Sequence, residues 1–308
     1  IRNAANTAWI TVGVLDPGNF EVGGVTPIAN GGTGQTTVAS AIAALLPSQT
    51  GNADKALTTN GTSLLWSVIT ASSFTKYTFA AGTGTGSTRT HTWTKPSSGS
   101  TAIVLIWGGG GGGGKDDDGG GGGAGSNCGF SILRLADLGA TGTITIGQGG
   151  AGRSGGDGEG AAGANSLFAT NINGTDTVHA RSYGGVGGED SSNRRAQGST
   201  PFGIGSNNSS VAARDNFAYS FLSGGTGGVT RIDEAGADAV FGGAGGGGCN
   251  SSGAGGDGGT SLLAGNGGKA NADSTPGVDG HTPGGGGGGS EDQAAGDGGD
   301  GECWVIVF

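Results

Sequence analysis

The sequence contains no methionine and begins at Ile1. We therefore expect a processed product or the C-terminal part of something longer. Its three cysteines, Cys128, Cys249 and Cys303, are too few and too far apart for a disulfide framework or a CxxC zinc site. The odd count leaves one thiol free or pairs it between chains. Charged residues make up 12% of the chain and the formal net charge is −10. Phosphate binding needs clustered Lys and Arg, so nucleic acid is excluded as a partner. No stretch approaches the ~18 consecutive apolar residues of a spanning helix, which argues against membrane insertion. A basic-then-apolar leader pattern is absent from the first residues.

What the chain has instead is glycine, 77 residues of 308. The usual share is about 7%. Holding glycine in regular structure costs roughly 0.5–1 kcal/mol relative to alanine, so ordering all of them costs on the order of 40–80 kcal/mol. Hydrophobic residues reach only 33%, too little for an ordinary core to offset that alone. Backbone bonding between glycine segments, and burial against other copies of the chain, are the expected offsets. Collagen is excluded, because it needs an unbroken G-X-Y period and abundant proline, and only seven prolines occur. Polyproline II geometry remains, with three residues per turn and no internal hydrogen bonds. Only a chain without Cβ atoms lets such spirals pack on all sides, bonding outward to one another.

The organisation changes near residue 72. Residues 1–72 read as short modules: a strand over 9–15, a helix over 38–46 capped by Thr36 or Thr37 and ended by Pro47, and a hairpin around Asn60-Gly61. Residues 73–308 mix strands with glycine tracts. Strands are expected at 76–80, 88–94, 101–107, 129–135, 141–147, 166–170, 177–182 and 303–308. The apolar run TAIVLIW (101–107) is the expected partner of the C-terminal CWVIVF. The predicted class is mainly β, a string of short modules over 1–72 followed by a β-domain over 73–308 whose loops are glycine-rich and polyglycine II-like.

Motifs for catalysis or metal binding are weak. The phosphate-loop pattern over 109–115 fails at Asp116, where Ser or Thr is required. Asp157, Asp257, Asp297 and Asp300 lie in Gly-Asp-Gly contexts, but no nine-residue calcium repeat persists. We expect them to be solubilising turn residues, and Asp116-Asp117-Asp118 and Glu291-Asp292 to be solvated loop tips. His91, His179 and His281 have no triad context, and no GxSxG or HExxH occurs. No catalytic residue, metal ligand or cofactor is assigned. The informative segments are the inserts between tracts. Residues 189–197 carry Arg194 and Arg195, and residues 207–222 carry Asn207, Asn208, Arg214, Asn216 and Tyr219. Aromatic, Asn and Arg side chains are the vocabulary of binding loops. Phe217 and Phe221 fit equally one buried face of a strand, which leaves the Tyr219 hydroxyl to reach solvent.

Two blocks resemble a known family. IANGGTGQTT (28–37) with its alanine-rich helix, then GNADKALTTNGTSLLW (51–66), resembles the repeated connector of tailed-bacteriophage tail fibres. The run from TAIVLIWGGGGGGG to GDGGDGECWVIVF is similar to the glycine-rich C-terminal domain of phage tail fibres and adhesins. The resemblance implies a homotrimeric virion protein, joined to other tail proteins through its N-terminal part. It also implies an extracellular, non-enzymatic tip that binds a surface glycan or outer-membrane protein through its loops. A polysaccharide-degrading enzyme and a purely structural fibre component are the alternatives.

Overall fold

The computed structural model describes residues 37–48, 50–68, 74–81, 88–172, 175–190, 196, 198, 222–231, 233–251, 253–272 and 275–308. By internal packing the chain divides into two units, Ile1–Ser73 and Phe74–Phe308. The fold is mainly β, as expected, with antiparallel sheets and one short α-helix among the described residues.

In the first unit, α1 (Val38–Leu45) starts where Thr37 takes an extended conformation and its Oγ1 accepts the Ser40 N–H at 3.1 Å. This satisfies one of the donors that a helix start leaves open. The Leu46 N–H closes the helix on Ile42. Pro47 follows, and its carbonyl accepts the Trp66 indole N–H. β1 (Lys55–Thr59) and β2 (Leu64–Val68) pair antiparallel. Asn60 makes the turn: its Oδ1 accepts from Thr62 and Ser63, while Gly61 sits at φ +89°.

The second unit is built on two four-stranded antiparallel sheets. The first has the order β3 (Thr75–Ala80), β10 (Glu302–Val307), β5 (Thr101–Trp107), β6 (Cys128–Arg134). The second runs β4 (Thr88–Thr94), β7 (Thr141–Gly147), β8 (Ser166–Ile172), β9 (Thr175–Ser182). TAIVLIW does pair with the C-terminal strand, Trp107 opposite Glu302 and Ala102 opposite Val307. Period-2 alternation sends Ala102, Val104, Ile106, Cys303, Val305 and Val307 inward. They meet Trp93, Ile144, Ile146, Phe168 and Ala180 of the second sheet. Trp93 packs edge-on against Phe168, ring centroids 5.5 Å apart. Its cross-strand partner is Gly142, where a methyl group would stand 2.9 Å from the Phe168 ring.

The glycine tracts are not coil. In spiral 108–115, successive N–H groups donate to three neighbours in rotation, all at 2.8–2.9 Å. Gly109 and Gly112 reach Ala164 and Ala161; Gly110 and Gly113 reach Gly299 and Gly296; Gly111 and Gly114 reach Ala124 and Gly121. The carbonyls accept in the same rotation. Gly109 and Gly112 receive Gly185 and Gly188, Gly110 and Gly113 receive Gly150 and Arg153, Gly111 and Gly114 receive Gly287 and Ser290. A pattern that repeats every three residues requires three residues per turn, the polyproline II spiral. Positive φ in the tracts is confined, among the described residues, to Gly119, Gly255 and Gly284, so the spirals take its left-handed sense.

Six neighbours thus enclose spiral 108–115, three antiparallel ones that accept and three parallel ones that donate. They also bond to one another around the ring: Gly160 to Gly188, Ala124 to Val186, Gly123 to Gly287, Gly296 to Gly288, Gly298 to Gly150, Ala161 to Ala151. Spirals 242–249 and 284–290 are enclosed in the same manner. All these neighbours come from the same chain, so the bonding we expected in part from other copies is closed internally. A Cβ on Gly109, Gly110 or Gly111 would stand 2.0, 2.0 and 1.9 Å from the carbonyl oxygens of Gln148, Gly285 and Val186. At these positions enclosure forbids a side chain, and the purest glycine runs form the interior, although spiral 242–249 accommodates the methyl group of Ala244, 0% exposed.

At the edge one residue in three faces outward and carries a side chain. Ala254, Asp257 and Thr260 are exposed at that period, as are Asn266 and Lys269 on the next spiral. Asp297 and Asp300 follow the same spacing, so with Asp257 they lie along spirals and not in turns as expected. Where an edge N–H lacks a neighbouring carbonyl, a side-chain oxygen stands in. Asp300 Oδ1 accepts from Gly149 at 2.9 Å, Asp297 Oδ1 from Gly152 at 2.8 Å and Asn165 Oδ1 from Gly184 at 3.0 Å. A net hydrogen bond is worth about 0.5–1.5 kcal/mol and a Cα–H···O contact perhaps 0.5–1. These match the ~0.5–1 kcal/mol that each ordered glycine costs, so a spiral holds only where nearly all its bonds close.

Candidate functional site

Connectivity defines the far end of the array. β5 runs into spiral 108–115 and spiral 119–127 returns to β6, so the turn between them lies away from the sheets. β7 leads out through 147–153 and 158–165 returns to β8; β9 leads out through 183–190. The far surface is therefore made of the segments around 116–118, 154–157, 190, 231, 250–251, 272 and 291–293, which interrupt the spirals.

These turns are fixed by side chains. Asp116 is buried, 7% exposed, against our expectation of a solvated tip. Its Oδ1 accepts the Asp118 N–H at 2.9 Å and faces Arg231 at 3.4 Å, and the same guanidinium reaches Asp118 at 3.3 Å. Arg231 lies at φ +64°, and its N–H donates to Gly119. One arginine thus clamps a turn over a hundred residues earlier. Lys115 Nζ donates to Gly155 and Arg153 Nε to Gly156, which ties the neighbouring turn. Asp117 and Asp118 are exposed, Glu291 is buried and Asp292 is exposed. Glu159, Glu189 and Asp190 bring one carboxylate oxygen each within 4.8 Å of one another. Sequence spacing gave no sign of this trio, since adjacency of spirals 158–165 and 183–190 is needed to see it.

The family of this fold can be stated at this point, because residues 83–307 match the family model described as "Glycine-rich domain". The chain belongs to the glycine-rich domain family. Comparison with curated proteins gives no match.

The candidate binding residues of this glycine-rich domain lie outside the described residues: Arg194, Arg195, Asn207, Asn208, Arg214, Asn216 and Tyr219. The residues that flank them are placed. Arg194 and Arg195 fall between Asp190, at the far end, and Ala196, whose carbonyl accepts the Gly227 N–H. Asn207 to Tyr219 fall between Gly198, against Gly224, and Leu222, whose carbonyl accepts the Cys128 N–H at the start of β6.

The thiols do not form disulfides; all three are buried. Burial pushes Cys128 up to about 12 and Cys249 up to about 11, and raises Cys303 as well. Thiols held so far above neutrality are poor nucleophiles. His179 is lowered from its ordinary value by burial, and its Nε2 shares a hydrogen bond with the Thr170 hydroxyl.

Proposed function

We propose that this chain is the distal region of a bacteriophage tail fibre that attaches the virion to a bacterial surface by loop-based binding. Support comes from one observation: the array closes its bonds among its own spirals, which makes a rigid frame for the loops between them. Such segments can differ in sequence while the frame stays rigid. The connector-like sequence 28–66 points the same way. In this reading the fibre is a homotrimer in its N-terminal part, where it also meets other tail proteins, and it works outside the cell. Its receptor is a surface glycan or an outer-membrane protein, contacted by Arg194, Arg195, Asn207, Asn208, Arg214, Asn216 and Tyr219. Several copies on one particle add avidity to modest single contacts. The role is adhesive and not enzymatic.

The test replaces residues 207–219 by a glycine–serine linker of equal length and keeps Leu222. Adsorption of the purified protein to host cells should fall at least ten-fold while its melting temperature holds. Undiminished adsorption refutes the site, release of new reducing ends from host polysaccharide supports the enzyme, and no cell binding by the unaltered protein supports a structural fibre part.

A further inference from the structure

One dipeptide stands in two opposite settings. Asn-Gly occurs four times in the sequence, and two of the pairs, Asn60-Gly61 and Asn266-Gly267, lie among the described residues. An asparagine side chain is open to attack by the backbone nitrogen of the next residue, and a following glycine, without a Cβ, leaves the approach clear. The outcome turns on the freedom of that nitrogen and on where the asparagine amide points.

In the turn between β1 and β2, Asn60, Gly61, Thr62 and Ser63 are all exposed. The Asn60 side chain folds forward over the chain that follows it: its Oδ1 accepts the Thr62 N–H at 3.0 Å and the Ser63 N–H at 2.8 Å. The ring so closed, from Oδ1 to the Thr62 nitrogen, contains both Cγ and the Gly61 nitrogen, and the two donors draw electron density away from Cγ. The Gly61 N–H itself goes to a side chain, Thr59 Oγ1, at 3.1 Å. An added Cβ on Gly61 meets nothing within 4 Å, so the segment has room to turn.

Asn266 is exposed as well, yet its side chain folds backward, with Oδ1 accepting the Ser261 N–H at 2.8 Å. The Gly267 N–H donates to the Gly259 carbonyl at 2.9 Å within the array. A Cβ on Gly267 would stand 1.9 Å from the Gly245 carbonyl oxygen, so this backbone has no room to turn.

We propose that Asn60 is a site of spontaneous deamidation, a reaction that the array denies to Asn266. The Gly61 nitrogen loses its proton to solvent base and bonds to Asn60 Cγ. The Cγ–Nδ2 bond breaks, and the amide nitrogen leaves as ammonia with a proton from water. Water then opens the succinimide at either carbonyl, giving aspartate or a β-linked isoaspartate. In the β-linked product the main chain gains one carbon, and the carbonyl that held Thr62 and Ser63 becomes part of it. The pair Thr59 and Leu64, which closes the hairpin, then loses its turn. The change marks the first unit with age and stands apart from the attachment role.

The full-length protein is incubated at mildly alkaline pH, native and in denaturant, with circular dichroism to verify each state. Mass spectrometry and isoaspartyl methyltransferase labelling follow each Asn-Gly peptide. In the native protein Asn60 should convert at least ten-fold faster than Asn266. In the unfolded chain Asn266 should accelerate at least ten-fold and the two rates should meet. Mild hydroxylamine, which cuts at a succinimide, should cleave the native chain between Asn60 and Gly61 and leave Asn266-Gly267 whole. Equal native rates, an Asn60 that stays intact in the native protein, or an Asn266 that stays slow once the chain is unfolded overturns the proposal.

Discussion

The sheets and the glycine array of the second unit solve the same problem by opposite means. The sheets bury large side chains, such as Trp93 and Phe168, and take their uniqueness from the fit of those shapes. The array buries backbone, and its uniqueness comes from which N–H meets which carbonyl. The sheets therefore suffer when a methyl group is removed, and the array when one is added. An interior spiral has six neighbours and no free direction; an edge spiral has one free direction every third residue. Periodicity in the glycine tracts thus reports the number of neighbours and not local conformation.

The comparison can be broken most sharply at Gly111. A Cβ there would lie 1.9 Å from the Val186 carbonyl oxygen, and ring closure leaves that carbonyl nowhere to go. Gly111→Ala should cost about 3 kcal/mol, the upper end of the overpacking range, read as a lower denaturation midpoint. Ile106→Val, which removes one methyl from a fully buried sheet position, should cost about 0.5–1.5 kcal/mol. If Ile106→Val proves the costlier change, side-chain packing governs both regions and the contrast fails.

Asp300 sharpens the account of the edge. Burial, and then Asp297 nearby, raise its pKa above the ordinary carboxylate value, against the opposing pull of the Gly149 N–H. The folded state then binds the proton more readily than the unfolded one, so this group adds stability as pH falls through its raised value, and that gain is complete below its ordinary value. Asp300→Asn keeps an oxygen for the Gly149 N–H and removes the charge. The variant should be no less stable at pH 7 and should lose this part of the acid-side gain, measured by thermal unfolding from pH 7 to pH 3. His179 pulls the other way: lowered by burial, it withdraws stability as pH falls below its ordinary value, in both proteins alike. A variant that is clearly less stable at pH 7 would mean that the carboxylate charge itself supports the seam. The smallest effect is expected at Gly156, where an added Cβ meets nothing within 4 Å. Gly156→Ala should shift stability by less than about 0.5 kcal/mol, as surface changes usually do; a larger loss would mean that the open turn is constrained.

Much of this was legible before any coordinates. The bounds of β4, β5 and β7 coincide with the periodic segments, because alternation and β-branching speak locally. Helix α1 begins where Thr37 and Pro47 bracket it. That the tracts form polyglycine spirals followed from composition, since nothing else orders so many glycines. The partners of each spiral were not legible, because GGGGGGG carries no information about its neighbours. Asp116 was misplaced for the same reason: its cover, Arg231, comes from a spiral whose adjacency no spacing reveals. The Glu159, Glu189 and Asp190 trio was hidden likewise. Arg194, Arg195 and the 207–219 residues were singled out by chemistry alone, and only their flanks are placed.

Hydrogen exchange of the backbone amides tests the central claim most directly. Amides of 109–114, 243–248 and 285–289 should exchange as slowly as those of β5 and β10, while Gly155 and Gly156 in their open turn exchange quickly. Rapid exchange throughout the glycine tracts, with protection confined to the sheets, would contradict a hydrogen-bonded array.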